Sequence, residues 1–235
     1  MSEKISFEQA WLKKLSDSLD TAAGTDVRRE IMAGSETLSD VTDRTTVIRW
    51  SREAMIKLEE MLDPETAQVV MTGCACQYPQ SALENARQLY RDTGDLAQVH
   101  RQLQDQFESF LRNDLKLDES LLEQVVQRGW GLAGVLQKDR IIATKIPKSG
   151  FLKEYLEEVD PEKRREIYCH CPRIRDAIKL QEDLPAIYCY CGAGFYQGIW
   201  EYILDQPVKV ELLASVLQGD DHCTVAIHLP TSPLA

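Results

Sequence analysis

Two kinds of hydrophobic spacing divide the chain. Over its first part Phe7, Ala10, Trp11, Leu15, Leu19 and Ala22 recur at helical intervals, with Lys13, Lys14, Asp17 and Asp20 on other faces, which predicts an amphipathic helix from Phe7 to Ala23. Gly24 ends it, and Asp26 is placed to cap a second, short helix through Met32. The stripe Val47, Trp50, Ala54, Ile56, Leu58 and Met61 predicts a third helix over 43–62, and Asp63-Pro64 stops it and opens a fourth that reaches Met71. Further helices are expected over 79–90, over 96–111, and from a cap at Asp118 or Ser120 to Gly129.

Beyond Gly129-Trp130-Gly131 the period shortens. Residues 134–146 read as two short strands around a polar turn, and 207–217 with 223–229 as a hairpin turning at Gly219-Asp220-Asp221. Between them, 151–159, the turn opened by Pro161, and 173–180 read as helical, while Ile167–Cys171 and Ala186–Cys191 are strand candidates. Gly192-Ala193-Gly194 then leads into a helix that buries Phe195, Ile199, Trp200, Ile203 and Leu204. The expectation is an α+β protein: a helical region over 1–130 and an α+β ligand-binding domain over 131–235, or one continuous domain around a shared core.

Composition narrows the function classes. The 235 residues are 43% hydrophobic and 28% charged, enough to bury a core, and no apolar run approaches the roughly 18 residues that cross a bilayer. The start, Met1-Ser2-Glu3-Lys4-Ile5-Ser6, lacks the basic and apolar segments of a secretory leader, so a cytoplasmic protein is expected. A net charge of −11 argues against generic binding to nucleic acid or anionic membranes. Nothing in the sequence specifies an oligomeric state. Over 138–179, however, 11 Lys and Arg residues face 8 Asp and Glu. Lys145 and Lys148 flank Pro147, and Arg173 and Arg175 follow a cysteine pair, so these four are candidates for holding the carboxylate or phosphate of a small anionic ligand. The alternative is a solvated charged surface.

The densest chemical signal is sulfur. Six of the seven cysteines form three Cys-x-Cys pairs, Cys74/Cys76, Cys169/Cys171 and Cys189/Cys191, where random placement would give about 0.2 such pairs. In a reducing compartment such spacing points to metal binding or thiol chemistry before disulfides. If the last two pairs lie on extended segments, each presents both thiols on one face, and together they offer the four sulfurs of a zinc site or an iron–sulfur cluster, to which Cys74 and Cys76 would add a third pair. A redox-active thiol cluster and ordinary buried cysteines are the alternatives. Cys223 reads as a small buried hydrophobe. His170 would point away from its neighbouring thiols and serve as an acid or base if it acts at all. Gly192-Ala193-Gly194 reads as an anion cradle or a tight strand-to-helix turn, and Glu201 as a candidate general base.

The stretch 208–227, with its strand, its Gly219-Asp220-Asp221-His222-Cys223 turn and its apolar return strand, resembles the ending of 4-vinyl-reductase-type ligand-binding domains and of the 2-aminothiazoline-4-carboxylate hydrolase family. Ala214 and Ser215 stand where those relatives carry a strand cysteine, and the Cys-x-Cys pairs suggest a cysteine-rich branch. The resemblance implies a small α+β ligand-binding domain with an antiparallel sheet and, through the second family, a hydrolase-like activity. The combined expectation is a metal-binding or iron–sulfur protein that takes a small anionic ligand, with a metal-assisted hydrolase as one form. A non-enzymatic sensor or carrier, and a metal-free cysteine-dependent enzyme, are the alternatives.

Overall fold

The computed structural model of the protein describes residues 6–230; the first five residues, read above for a leader, and the tail 231–235, expected to fray, lie outside them. The elements follow in the order α1 (Phe7–Ala22), α2 (Thr25–Ile31), α3 (Arg44–Met61), α4 (Pro64–Gly73), α5 (Glu84–Thr93), α6 (Leu96–Asn113), α7 (Glu119–Gln127), β1 (Val135–Leu136), β2 (Arg140–Thr144), α8 (Leu152–Glu157), α9 (Pro161–Tyr168), α10 (Pro172–Leu180), α11 (Tyr190–Leu204), β3 (Lys209–Ala214) and β4 (Thr224–His228). The fold is α+β. Among the described residues no helix is long and apolar enough to cross a membrane.

Aspartates set five of the helix starts among the described residues. Asp43, Asp63, Asp95, Asp118 and Asp160 each accept hydrogen bonds from backbone N–H groups of the first turn, satisfying donors that a helix cannot pair internally. Asp118, not Ser120, therefore starts α7. Asp26 instead falls inside the first turn of α2, whose cap position is Gly24.

The chain forms two compact units, each discontinuous in sequence, and the division does not follow the expected boundary at 130/131. The first comprises residues 1–76 and 171–194. In it α1 packs on α2 and α4, and α3 packs on α2, α4 and α10. Its core holds Leu15, Leu19, Ile48, Met55, Leu58 and Met71, each essentially without solvent contact. Every such side chain contributes about 1.5–3 kcal/mol relative to exposure. Two residues expected on apolar stripes, Phe7 and Met61, are exposed, and on α1 Glu8 joins Trp11, Leu12, Leu15 and Leu19 on the buried stripe.

The second unit comprises residues 77–170 and 195–235. Its antiparallel sheet runs in the order β1-β2-β4-β3, so the last strand is central. Ile141 pairs with Ile227 and Ala143 with Val225 on one side of β4, and Val210 pairs with Ile227 on the other. Val225, Ala226 and Ile227 are all buried, as expected for a strand covered on both faces. The predicted hairpin is present with a longer connection, since a 3-10 turn at Val216–Gln218 precedes Gly219.

Two predicted strands are helical instead. Ile167 and Tyr168 close α9, only the link 169–171 is non-helical, and Pro172 opens α10. Ala186–Cys189 is a 3-10 turn that runs straight into α11. Prolines explain both. Pro161, Pro172 and Pro185 lie in or just before a first turn, where a fixed φ favours helical entry and the missing N–H costs nothing.

Candidate thiol site

Two elements of the first unit bring sulfur together. Helix α4 ends at Cys74, whose backbone N–H closes onto Met71 and Thr72, leaving the side chain fully buried with its Sγ donating to the Val70 carbonyl at 3.3 Å. The first turn of α11 lies directly on this helix end. Gly194 allows it: a Cβ there would stand 2.2 Å from the Thr72 carbonyl oxygen, so no side chain fits. Gly192-Ala193-Gly194 is thus part of a helix, and its last glycine serves close backbone approach. One turn earlier, Cys191 Sγ donates to the carbonyl of Cys74 at 3.4 Å.

A third thiol joins through Tyr188. Cys171, extended just before Pro172, places its Sγ 3.5 Å from the Tyr188 hydroxyl. The Tyr188 ring stacks on Trp11 at 5.3 Å between centroids. The guanidinium of Arg173 covers the same indole at 3.9 Å. Arg173 is itself fully buried. Its Nε donates to Glu8 Oε2 at 2.9 Å and its Nη2 donates to the same oxygen, while Arg44 Nη1 donates to Glu8 Oε1 at 2.6 Å. Arg44 Nε reaches Asp176 at 2.6 Å. The Nη1 of Arg173 and the indole N–H of Trp11 have no acceptor among the described residues.

These surroundings hold the Cys74 thiol and the Tyr188 hydroxyl neutral. Burial pushes the Cys74 thiol well above its ordinary range; the nearby Cys191 adds to this, and Lys14 and Arg173 oppose it. Lys14 approaches from α1, donating to the Ala75 carbonyl at 3.0 Å. Burial likewise raises the Tyr188 hydroxyl, followed by the effect of Cys171, with Arg173 opposing.

One member of each Cys-x-Cys pair, Cys74, Cys171 and Cys191, therefore adjoins another of the three or Tyr188. Of their sequence partners, Cys76 is exposed, Cys189 is half-buried in the 3-10 turn, and Cys169 is half-buried in the second unit. Residues two apart on a helical backbone are about 200° apart around the axis, so the same-face argument for Cys189 and Cys191 does not apply. Among the described residues no group of three or more His, Cys, Asp or Glu side chains is placed to hold a metal ion.

The four cations proposed for ligand binding are divided between the units. Arg173 is paired with Glu8, and Arg175 lies on α10 of the first unit. In the second, Lys145 sits over the Phe195 ring at 5.6 Å and Lys148 over Phe151 at 5.5 Å. His170, in that unit, has a ring nitrogen 3.0 Å from the Ile146 carbonyl. Glu201 accepts from Gln197 and from the backbone N–H of Val208, which anchors the approach to β3 and gives it a structural role. Cys223 is half-buried, its N–H donating to the Tyr168 hydroxyl. Sequence reasoning missed Glu8, Arg44 and Asp176; the available signal was a carboxylate on the apolar stripe of α1.

A family model described as a family of unknown function, DUF6144, matches residues 164–233. That stretch holds Cys169, Cys171, Cys189, Cys191 and Cys223. No curated protein and no solved structure matches the chain.

Proposed function

We propose that the first unit carries a redox-active dithiol, Cys191 and Cys74, that exchanges with small disulfides and thiols. The observation that carries this reading is the approach of α11 to α4, close enough at Gly194 to exclude a side chain, with Cys191 Sγ against the Cys74 carbonyl. Bridged cysteines need Cα atoms about 4.4–6.8 Å apart, and the proposal requires the start of α11 and the end of α4 to meet that range when the bridge forms. Cys191 is the attacking group. It is half-buried rather than sealed, and it lies in the first turn of α11. Cys74, fully buried and held neutral, is the resolving group.

The exchange balances as follows. Cys191 loses its proton to solvent base and attacks one sulfur of a disulfide RSSR, forming Cys191–S–S–R and releasing RS⁻. Cys74 then loses its proton and attacks the Cys191 sulfur, forming the protein disulfide and releasing a second RS⁻. Two protein thiols are oxidised by two electrons, RSSR is reduced by the same two, and the two protons complete two RSH.

The test uses the full chain purified without oxygen and equilibrated in glutathione/glutathione disulfide mixtures, read by intact mass and peptide mapping. A reversible loss of two hydrogens mapped to Cys74 and Cys191, absent in both Cys191→Ser and Cys74→Ser, is the expected result. No such bridge at any mixture overturns the proposal. A second reading, a metal ion or iron–sulfur cluster held by cysteine, rests on the three Cys-x-Cys pairs of the sequence. Its mark is stoichiometric zinc or iron in the anaerobic protein, lost together with thermal stability on chelation.

A further inference from the structure

A cavity in the second unit carries different chemistry. It measures about 340 Å³ and is lined by Arg128, Trp130, Thr144, Arg164, Asp221 and His222. Its floor is aromatic: Trp130 lies 6.1 Å from His222 and 5.9 Å from Tyr155, centroid to centroid. Tyr155 fixes one wall, its hydroxyl donating to the Asp221 carbonyl at 2.7 Å. Thr144 ends β2, where its hydroxyl meets that of Thr224 at 3.0 Å.

The two arginines are held by rings. Arg128 lies over Trp130 at 5.1 Å and Arg164 over Tyr155 at 4.7 Å, and among the described residues neither forms an ion pair. The Nε of Arg164 is shielded from solvent with no acceptor among those residues. Asp221, the one acid in the lining, has Arg165 at 3.9 Å, which offsets its charge. Guanidinium groups positioned on aromatic faces, with donors left over, suit the oxygens of a carboxylate or phosphate.

We propose that this cavity binds a small anion, a carboxylate or phosphate, carried on a flat unsaturated body. Arg128 and Arg164 take the anionic group, and the Trp130 and His222 rings take the flat body. The volume lies at the small end for ligand pockets, which limits the ligand to about one ring with its substituents. Three of the lining residues, Arg164, Asp221 and His222, fall within the stretch matched by the family model. The proposal is independent of the dithiol, since every residue it uses lies in the second unit.

The test is calorimetric titration of the full chain with benzoate, phenyl phosphate and inorganic phosphate. Saturable binding of benzoate or phenyl phosphate is expected, with the preferred one identifying the anionic group, and inorganic phosphate is expected to bind at least tenfold more weakly. Arg164→Gln and Arg128→Gln should each weaken binding by about tenfold or more, the effect of losing one charge-assisted hydrogen bond. Circular dichroism unchanged in both variants separates this loss from misfolding. Absence of binding at millimolar concentrations, inorganic phosphate equal to the aromatic probes, or full affinity in both well-folded variants would each overturn the proposal.

Discussion

Replacing Glu8 by glutamine should destabilise the first unit far more than the loss of any surface charge. The glutamine keeps the shape of the side chain and removes the charge that faces two guanidinium groups. Arg173 cannot turn to water for compensation: its side chain is 0% exposed and that of Glu8 is 2% exposed. Removing one partner of a buried ion pair costs about 3–5 kcal/mol because the other charge is left uncompensated. Against a total stability of about 5–15 kcal/mol for a domain, that is a large part of the whole. Glu182→Gln provides the control, because its partner Arg49 is 3.7 Å away and 68% exposed, so that pair is worth about 0–1 kcal/mol. Urea unfolding followed by tryptophan fluorescence measures the difference, with Trp11 and Trp50 reporting on the environment of Arg173. The double variant Glu8→Leu with Arg173→Met should recover most of the loss, since matched apolar side chains often replace a buried pair at little cost. A midpoint shift for Glu8→Gln no larger than that of Glu182→Gln would refute the reasoning.

Other consequences are as direct. Cys74 is held protonated above its ordinary value of 9.0, so its contribution to stability is fully present below about pH 9 and is lost as pH rises through its folded value. Cys74→Ala should accordingly flatten the alkaline limb of a stability–pH curve, and an unchanged limb would count against the assignment. Gly194→Ala places a methyl group against the Thr72 backbone; despite alanine's better helix propensity it should cost about 1–3 kcal/mol in chemical denaturation, and a stabilised variant would mean that the two helices separate without penalty. Tyr168→Phe removes a hydroxyl that donates to the Lys145 carbonyl and accepts from the Cys223 N–H, leaving buried backbone groups unpaired; a loss of about 1–3 kcal/mol is expected, and hydrogen exchange at Cys223 should accelerate.

Local patterns made much of the fold readable. The helices of the first 127 residues follow from apolar spacing and aspartate caps, and β3 and β4 from alternation and a turn, because these signals act over a few residues. The segments 167–171 and 186–191 were misleading for a physical reason. Five or six mixed apolar residues fit either period, and the deciding information lay in the prolines beside them. For the thiols, the sequence shows the spacing, while their directions depend on whether that spacing is wound or extended. Arg173 has the composition of an exposed anion-binding residue, yet it pairs with a carboxylate 165 positions away, a relation that no local window contains.

That long separation also bears on the order in which the chain is made. The first unit is complete only when residue 194 has left the ribosome, more than a hundred residues after its first segment ends at Cys76. At about 5–20 residues per second, the interval is roughly 6–24 s. For most of it, α1 presents Glu8 without Arg173, and the α4 end presents Cys74 without the first turn of α11. The newborn N-terminal segment is therefore exposed to oxidants and to wrong partners before its own sequence can protect it, so truncations between residues 76 and 171 should yield chains that aggregate and that react readily with thiol reagents.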